Sequence, residues 1–161
     1  MSNETPAPKP SIRGKSFTYY TSLERQGNRS GILGSPGKPD VRVSAPPEFK
    51  GEAGVWTPED LFVASVEVCL MTTFSALATR RGITVLGYRS RAEGLLEFTD
   101  DGHRFTRITI RPTIELDDAR QISEAETTIQ DAHERCLIGK SMTSAVEIEP
   151  TIKVVGAPVS G

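Results

Sequence analysis

Residues 57–81, TPEDLFVASVEVCLMTTFSALATRR, constrain the fold more than any other stretch of this 161-residue chain. Thr57 suits a helix N-cap and Pro58 the first helical position, and Glu59 and Asp60 sit where the positive end of the helix dipole favours carboxylates. Arg80 and Arg81 followed by Gly82 supply the matching C-terminal signal. Between these ends the segment is apolar almost all round, which marks a buried central helix. Ser65, Cys69, Thr72, Ala76 and Thr79 recur at alternating steps of four and three and so share one narrow face. Such a stripe of small residues allows another helix to approach closely, and one of the chain's two cysteines lies on it.

The rest of the chain arranges itself around this helix. Residues 1–12 are polar and proline-rich, with too few apolar side chains to fold, and read as a disordered tail; residues 13–157 read as a single domain. Strands are expected at 16–23 (SFTYYTSL), 29–33 and 40–44 (DVRVS), separated by the turn-forming ERQGN and GSPGKP. Beyond the helix, 83–98 and 105–116 read as a hairpin around TDDG, with Ile108, Ile110, Ile114 and Leu116 on one face. Pro112 predicts that the second of these strands lies at a sheet edge or carries a bulge. Asp117 or Asp118 caps a second helix with the core stripe Ile122, Ala125, Ile129, Ala132 and Cys136. Residues 137–143 read as a turn and 145–155 as a final alternating strand. This order is α+β, with antiparallel sheets packed around central helices. The first helix is apolar on more faces than one sheet can cover, which predicts an obligate homodimer.

Composition narrows the chemistry. Lys and Arg number 19 against 21 Asp and Glu, a balance that gives no case for a nucleic-acid or membrane-surface partner. Glu67 and the hydroxyl side chains are expected to keep the apolar run short of a membrane span. The N-terminus shows no basic start followed by an apolar core, so a cytoplasmic location is expected. There, a pair of cysteines is more often reduced, catalytic or metal-binding than a structural bridge. Three readings of Cys69 and Cys136 stand open: inert core thiols, a redox pair whose sulfurs meet if the two stripes face each other, or zinc ligands with His103 and His133. No paired-cysteine zinc motif is present, and GSPGKP lacks the spacing of a phosphate-cradling loop.

The string TPEDLFVASVEVC resembles the helix signature of the OsmC/Ohr family of organic hydroperoxide reductases. In that signature an Asn-Pro-Glu-type start precedes a cysteine ten residues after the glutamate, here Glu59 and Cys69. AHERCLIGKSM is similar to the segment around the family's second cysteine, here Cys136. NRSGILGSPGKPDVRVSAPPEFKG resembles the N-terminal sheet, where an arginine two before a glycine is the catalytic one. That position is Arg29, with Arg25 and Arg42 as neighbouring arginines. The likeness spans residues 17–155. Thr57 stands where the family has Asn, Glu67 where it has a small residue, and Leu137 where the peroxidase branch often has Pro.

The resemblance implies an OsmC-like, intertwined homodimer and a thiol-dependent peroxidase acting on bulky organic hydroperoxides. In that reading Cys69 is the attacking thiolate, Arg29 lowers its pKa and stabilises the leaving alkoxide, and Glu59 holds the arginine. Cys136 condenses with the Cys69 sulfenic acid to form a disulfide, and a lipoyl-type dithiol restores both thiols. No cofactor and no metal are called for. The alternatives are a non-enzymatic relative that binds a small apolar ligand in the dimer cleft, and a structural zinc protein. Ten residues of straight helix separate the Glu59 and Cys69 backbones by roughly 15 Å. Glu59 of one subunit is therefore expected to serve Cys69 of the other, with the two central helices antiparallel across the dimer axis.

Overall fold

The first helix, α1, runs from Pro58 to Arg80 and is defined at both ends by the expected residues. The Thr57 hydroxyl accepts the Asp60 N–H (3.1 Å) and Asp60 accepts the Thr57 N–H (3.0 Å), a capping box that satisfies donors at the helix start. At the other end Gly82 takes φ 68°, a left-handed conformation that suits glycine. These elements belong to a computed structural model that describes residues 13–156, so the tail expected at 1–12 lies outside the described residues.

The buried face of α1 is Val66, Cys69, Leu70, Phe74, Leu77 and Ala78. It is not the small-residue stripe: Thr72, Ala76 and Thr79 are exposed, and of the five stripe residues only Cys69 is buried. Burial follows the large side chains because Leu70, Phe74 and Leu77 remove far more apolar surface from water than Ala or Thr can. By length and composition α1 is also apolar enough to cross a bilayer, contrary to expectation, since a single Glu67 does not offset so many apolar residues. In this fold it packs instead against two other helices and a sheet.

Two sheets flank α1 in the sequence. The first is antiparallel, in the order β1 (Ser22–Arg25), β2 (Ser30–Gly34), β3 (Val41–Ser44). Strand β1 begins later than the expected 16–23, because its ladder with β2 covers only Ser22 to Arg25; Phe17, Tyr19 and Tyr20 precede it, exposed. The second sheet is built on the hairpin of β4 (Val85–Thr99) and β5 (Gly102–Leu116), turning through Asp100 and Asp101. The expected final strand is two strands, β6 (Ala145–Ile148) and β7 (Thr151–Val154), interrupted at Pro150. Both pair with β5 in parallel, so this sheet is mixed rather than purely antiparallel.

Strand β5 is therefore central rather than at an edge; it does carry a bulge, at Thr106, which is left over where Phe105 and Arg107 pair with the consecutive Leu96 and Leu95, and Pro112 lies outside it. The proline faces Ser90 on one side, and on the other falls between the residues that pair with β6 (107–110) and those that pair with β7 (113–116). In that gap no neighbour needs the N–H that proline lacks. The bulges of the hairpin lie at Val85/Gly87 and Leu95/Leu96.

Asp118 caps a 3₁₀ turn, Ala119–Gln121, that leads into α2 (Ile122–Arg135). A short helix, α3 (Leu137–Ser141), replaces the expected turn after Cys136. Ile108, Ile110, Ile114 and Leu116 of β5 meet Ala125, Ile129 and Ala132 of α2 and the large residues of α1 in one core. Arg81 ties the end of α1 to α2, donating to the Thr128 hydroxyl (2.9 Å) and pairing with Asp131. Near the start of α1, a Cβ on Gly94 of β4 would stand 2.6 Å from Val63 and 2.8 Å from Phe105. Glycine is thus what lets the first half of the helix lie close over the hairpin.

Candidate active site

Cys69 and Cys136 are free thiols, 8% and 2% exposed. Helix α2 ends at Arg135, Cys136 turns the chain with φ −60° and ψ 108°, and α3 packs against α1. This brings the two side chains near enough for each to shift the other's pKa. The Cys136 Sγ also accepts the Gly139 N–H at 3.5 Å, capping α3.

The two thiols are driven in opposite directions. Burial pushes Cys69 up, but the Ile138 N–H, the Cys136 thiol, the Thr73 hydroxyl and the Leu137 N–H all donate to its sulfur, and the net position is below that of an ordinary thiol. Burial also pushes Cys136 up; the Gly139 N–H opposes this, while the hydrogen bond to Cys69 and the charge on Cys69 reinforce it, and the net position is above an ordinary thiol. Negative charge therefore settles on Cys69 and the proton on Cys136. A pair polarised this way contains one nucleophile and one thiol ready to follow it.

Arg29 and Glu59 lie apart from the sulfurs within one chain. Arg29, exposed just before β2, donates from Nη1 to the Phe49 carbonyl at 2.7 Å and forms no ion pair among the described residues. Of its neighbours, Arg42 is held by Glu52 at 2.7 Å, and Arg25 ends β1 in solvent. Glu59 sits in the first turn of α1 with its Oε2 buried and without a hydrogen-bond partner. It lines a groove of about 540 Å³ with Phe49, Val55, Leu96 and Phe105. A second groove of about 330 Å³ continues past it along Val63, Glu67 and Ala92. Among the described residues no Lys or Arg lines either groove, so within these residues Glu59 and Glu67 have no cation beside them there.

The profile of the OsmC-like protein family matches residues 51–151. The chain belongs to that family. A curated relative, organic hydroperoxide resistance protein-like 1 of Staphylococcus saprophyticus, is 25% identical over 139 residues, covering 85% of this chain and 96% of its own. Among solved structures, an OsmC-like protein of unknown function from Vibrio cholerae superposes with a TM-score of 0.78 at 21% identity, over 84% of this chain and 99% of that one. An OsmC-like protein from Mycoplasma pneumoniae gives 0.72 at 16% identity, over 88% and 99% of the two chains. An organic hydroperoxide resistance protein from Elizabethkingia anophelis gives 0.70 at 19%, again over 88% and 99%. Likeness at these identities establishes the OsmC-like α+β fold.

His103 stands at the hairpin end between the rings of Phe49 (5.5 Å) and Phe98 (4.9 Å), and among the described residues no three metal-ligating side chains converge. Glu67, on the far side of α1 from the sulfur, is partly buried and accepts the Ser90 hydroxyl at 2.5 Å. Sequence reasoning missed the donors that reach Cys69: the Thr73 hydroxyl and the N–H groups at the start of α3. Thr73, one turn beyond Cys69, carried a usable signal in its spacing. The N–H groups carried none, since α3 resembles a turn in sequence.

Proposed function

We propose that this OsmC-like chain is a thiol-dependent peroxidase that reduces organic hydroperoxides to alcohols. The observation that carries the proposal is the polarised pair of buried neighbouring thiols, with Cys69 drawn below and Cys136 pushed above an ordinary thiol. The Cys69 thiolate attacks the terminal oxygen of ROOH; the S–O bond forms, the O–O bond breaks, and the departing RO⁻ takes up a proton to give the alcohol. Cys69 is left as a sulfenic acid. The Cys136 thiol attacks that sulfur, the S–S bond forms and water leaves. A dithiol, of the lipoyl type in the family reading, exchanges with the disulfide and leaves as its own disulfide. A reducing, cytoplasmic setting suits this cycle.

Arg29 and Glu59 complete the site in a homodimer. A guanidinium from a second copy, set against the unpartnered Glu59 Oε2, stabilises the alkoxide as it forms. The exposed α1 face that includes Val68 and Met71, and the exposed Phe17, Tyr19 and Tyr20, support such a partner. The name of the Staphylococcus saprophyticus relative supports hydroperoxides as substrates.

Organic hydroperoxide consumption with a dihydrolipoyl reductant tests the reading. Wild-type protein is expected to turn over and Cys69→Ser to lose activity entirely; equal rates in the two end the proposal. The apolar groove beside Glu59 favours one other reading, a non-enzymatic carrier of a small apolar ligand. A carrier would bind apolar ligand while leaving hydroperoxide untouched.

A further inference from the structure

Residues 45–52 form a strap whose two ends meet. A Cβ on Gly51 would stand 1.5 Å from the Ala45 carbonyl oxygen, the Gly51 N–H donates to the Pro46 carbonyl (3.0 Å), and Lys50 turns the chain back with φ 63°. Glu52 fixes this neck, accepting from Arg42 (2.7 Å) and donating its N–H to the Ser44 hydroxyl (2.9 Å). Beyond the neck the strap is tethered lightly. Among the described residues, one hydrogen bond reaches 46–50 from outside the strap, that of the Arg29 guanidinium to the Phe49 carbonyl (2.7 Å). A second tie is aromatic. The Phe49 ring meets His103 edge to face with centroids 5.5 Å apart, and His103 meets Phe98 in the same manner at 4.9 Å. The strap and the β4–β5 hairpin are two walls of the groove of about 540 Å³ beside Glu59: Pro46, Pro47 and Phe49 line it from the strap, Gly94, Leu96 and Phe105 from the hairpin. His103 belongs to the hairpin but not to the lining, so its contact with Phe49 joins the two walls from outside the groove.

We propose that Phe49 is the specificity-determining gate of this groove: its ring, latched on His103 and tethered through its carbonyl to Arg29, swings aside with the strap to admit a bulky apolar molecule. That the molecule is an organic hydroperoxide rests on the peroxidase reading; the gate does not. The apolar lining suits such a ligand, and one ring contact and one exposed hydrogen bond are weak enough to break and re-form as it passes. The tether gives the gate a second consequence. When the strap swings, the Phe49 carbonyl leaves Arg29, and a guanidinium donor comes free for the negative charge of a reacting peroxide. Entry of substrate and release of the arginine are then one motion. A gate and a mere wall differ in kinetics. Losing a wall contact speeds exit alone and weakens binding. Loosening a gate that closes over the empty and the filled groove alike speeds entry and exit together and leaves the dissociation constant in place.

The test uses the full-length protein and N-phenyl-1-naphthylamine, a neutral apolar fluorophore. Trp56, the single tryptophan of the chain, lines the adjoining groove past Glu59, so energy transfer from it to the probe reports a filled site. Leu96→Arg, which sets a charge in the groove lining, is expected to abolish the transfer. In stopped flow, His103→Ala is expected to speed entry and exit of the probe about fivefold each, the worth of one aromatic pair. Arg29→Ala, at a residue outside the lining, is expected to speed both about threefold by way of the strap. His103→Phe, which keeps a ring at the latch, restores the wild-type rates. His103 and Arg29 are both exposed, so these variants keep the fold. Wild-type rates in either alanine variant overturn the proposal, as does faster exit with unchanged entry, the mark of a wall. So does a wild-type protein that gives no transfer, or transfer that survives Leu96→Arg. No hydroperoxide is present, so failure of the peroxidase reading appears separately, as equal turnover by wild type and Cys69→Ser.

Discussion

At the scale of single residues, the pair Cys69 and Cys136 titrates in opposite senses, and that asymmetry is measurable. Cys69 is held below an ordinary thiol and Cys136 above it, so alkylation of wild-type protein is expected to modify Cys69 first as pH rises. Peptide mapping after brief iodoacetamide treatment reads the order directly. The sign carries into stability. A thiol depressed on folding contributes stability that is fully present above its unfolded pKa and is lost as pH falls through the folded value. Cys69→Ser removes that contribution, so on the alkaline side the serine variant is expected to lose stability relative to wild type, with the gap closing toward acid, as urea unfolding at several pH values would reveal. Glu67 gives a second case. Burial, and secondly the Glu67 carboxylate, push the Tyr88 hydroxyl up to about 12, with the Ser90 hydroxyl opposing. In a Tyr19→Phe, Tyr20→Phe background one tyrosine remains. There Glu67→Gln is expected to lower the tyrosinate midpoint without bringing it to the ordinary value, because burial, the larger cause, persists. A midpoint that stays in place would show that the charge of Glu67 does not reach Tyr88.

Elements differ in how much of themselves they show in sequence. Helix α1 was legible because Thr57, Asp60 and Gly82 are chemical end-marks and nothing else suits so long an apolar run. The β4–β5 hairpin was legible through TDDG. Helix α3 was not: five residues with a glycine look like a turn, and what makes them helical is the Cys136 cap and packing on α1. The pairing of β6 and β7 beside β5 was equally hidden, since parallel partners are chosen by the whole fold and not by local pattern. Pro112 misled about the edge, though not about the strand carrying a bulge, because its gap is made by strands that close only later in the chain. The stripe of small residues misled by offering close approach where the large side chains of the same helix had more to bury. Phe74, fully buried at the centre of that large face and 5.8 Å from the Tyr88 ring, tests the point. Phe74→Ala is expected to cost about 3–5 kcal/mol in urea unfolding. Ala76→Ser, on the exposed stripe, is expected to cost under about 0.5 kcal/mol in the isolated chain.

The whole molecule raises a question that one chain cannot answer from within: where the cation for Glu59 comes from. Among the described residues the Glu59 Oε2 is buried and unpartnered in a groove with no Lys or Arg, while Arg29 is exposed with only a carbonyl for company. Along α1, Glu59 stands about 15 Å of helix from Cys69. If a second copy supplies what is missing, each site mixes residues of two chains, and subunit mixing must reveal it. Cys69→Ser and Glu59→Gln proteins, each impaired alone, are unfolded together in equal amounts and refolded. In a mixed dimer the chain that keeps Cys69 then faces the intact Glu59 of its partner, so one of the two sites is whole. Half the dimers formed by random pairing are mixed, and each has one working site, so the mixture is expected to recover about a quarter of wild-type peroxidase activity. If Glu59 instead served Cys69 of its own chain, the only intact sulfur in a mixed dimer would still share its chain with the neutral amide of the Glu59→Gln substitution, and mixing would recover nothing. Sedimentation of the refolded mixture must show dimers for either result to count. Met71→Arg, which sets a charge on the exposed face of α1, is expected to abolish both the dimer and the activity together.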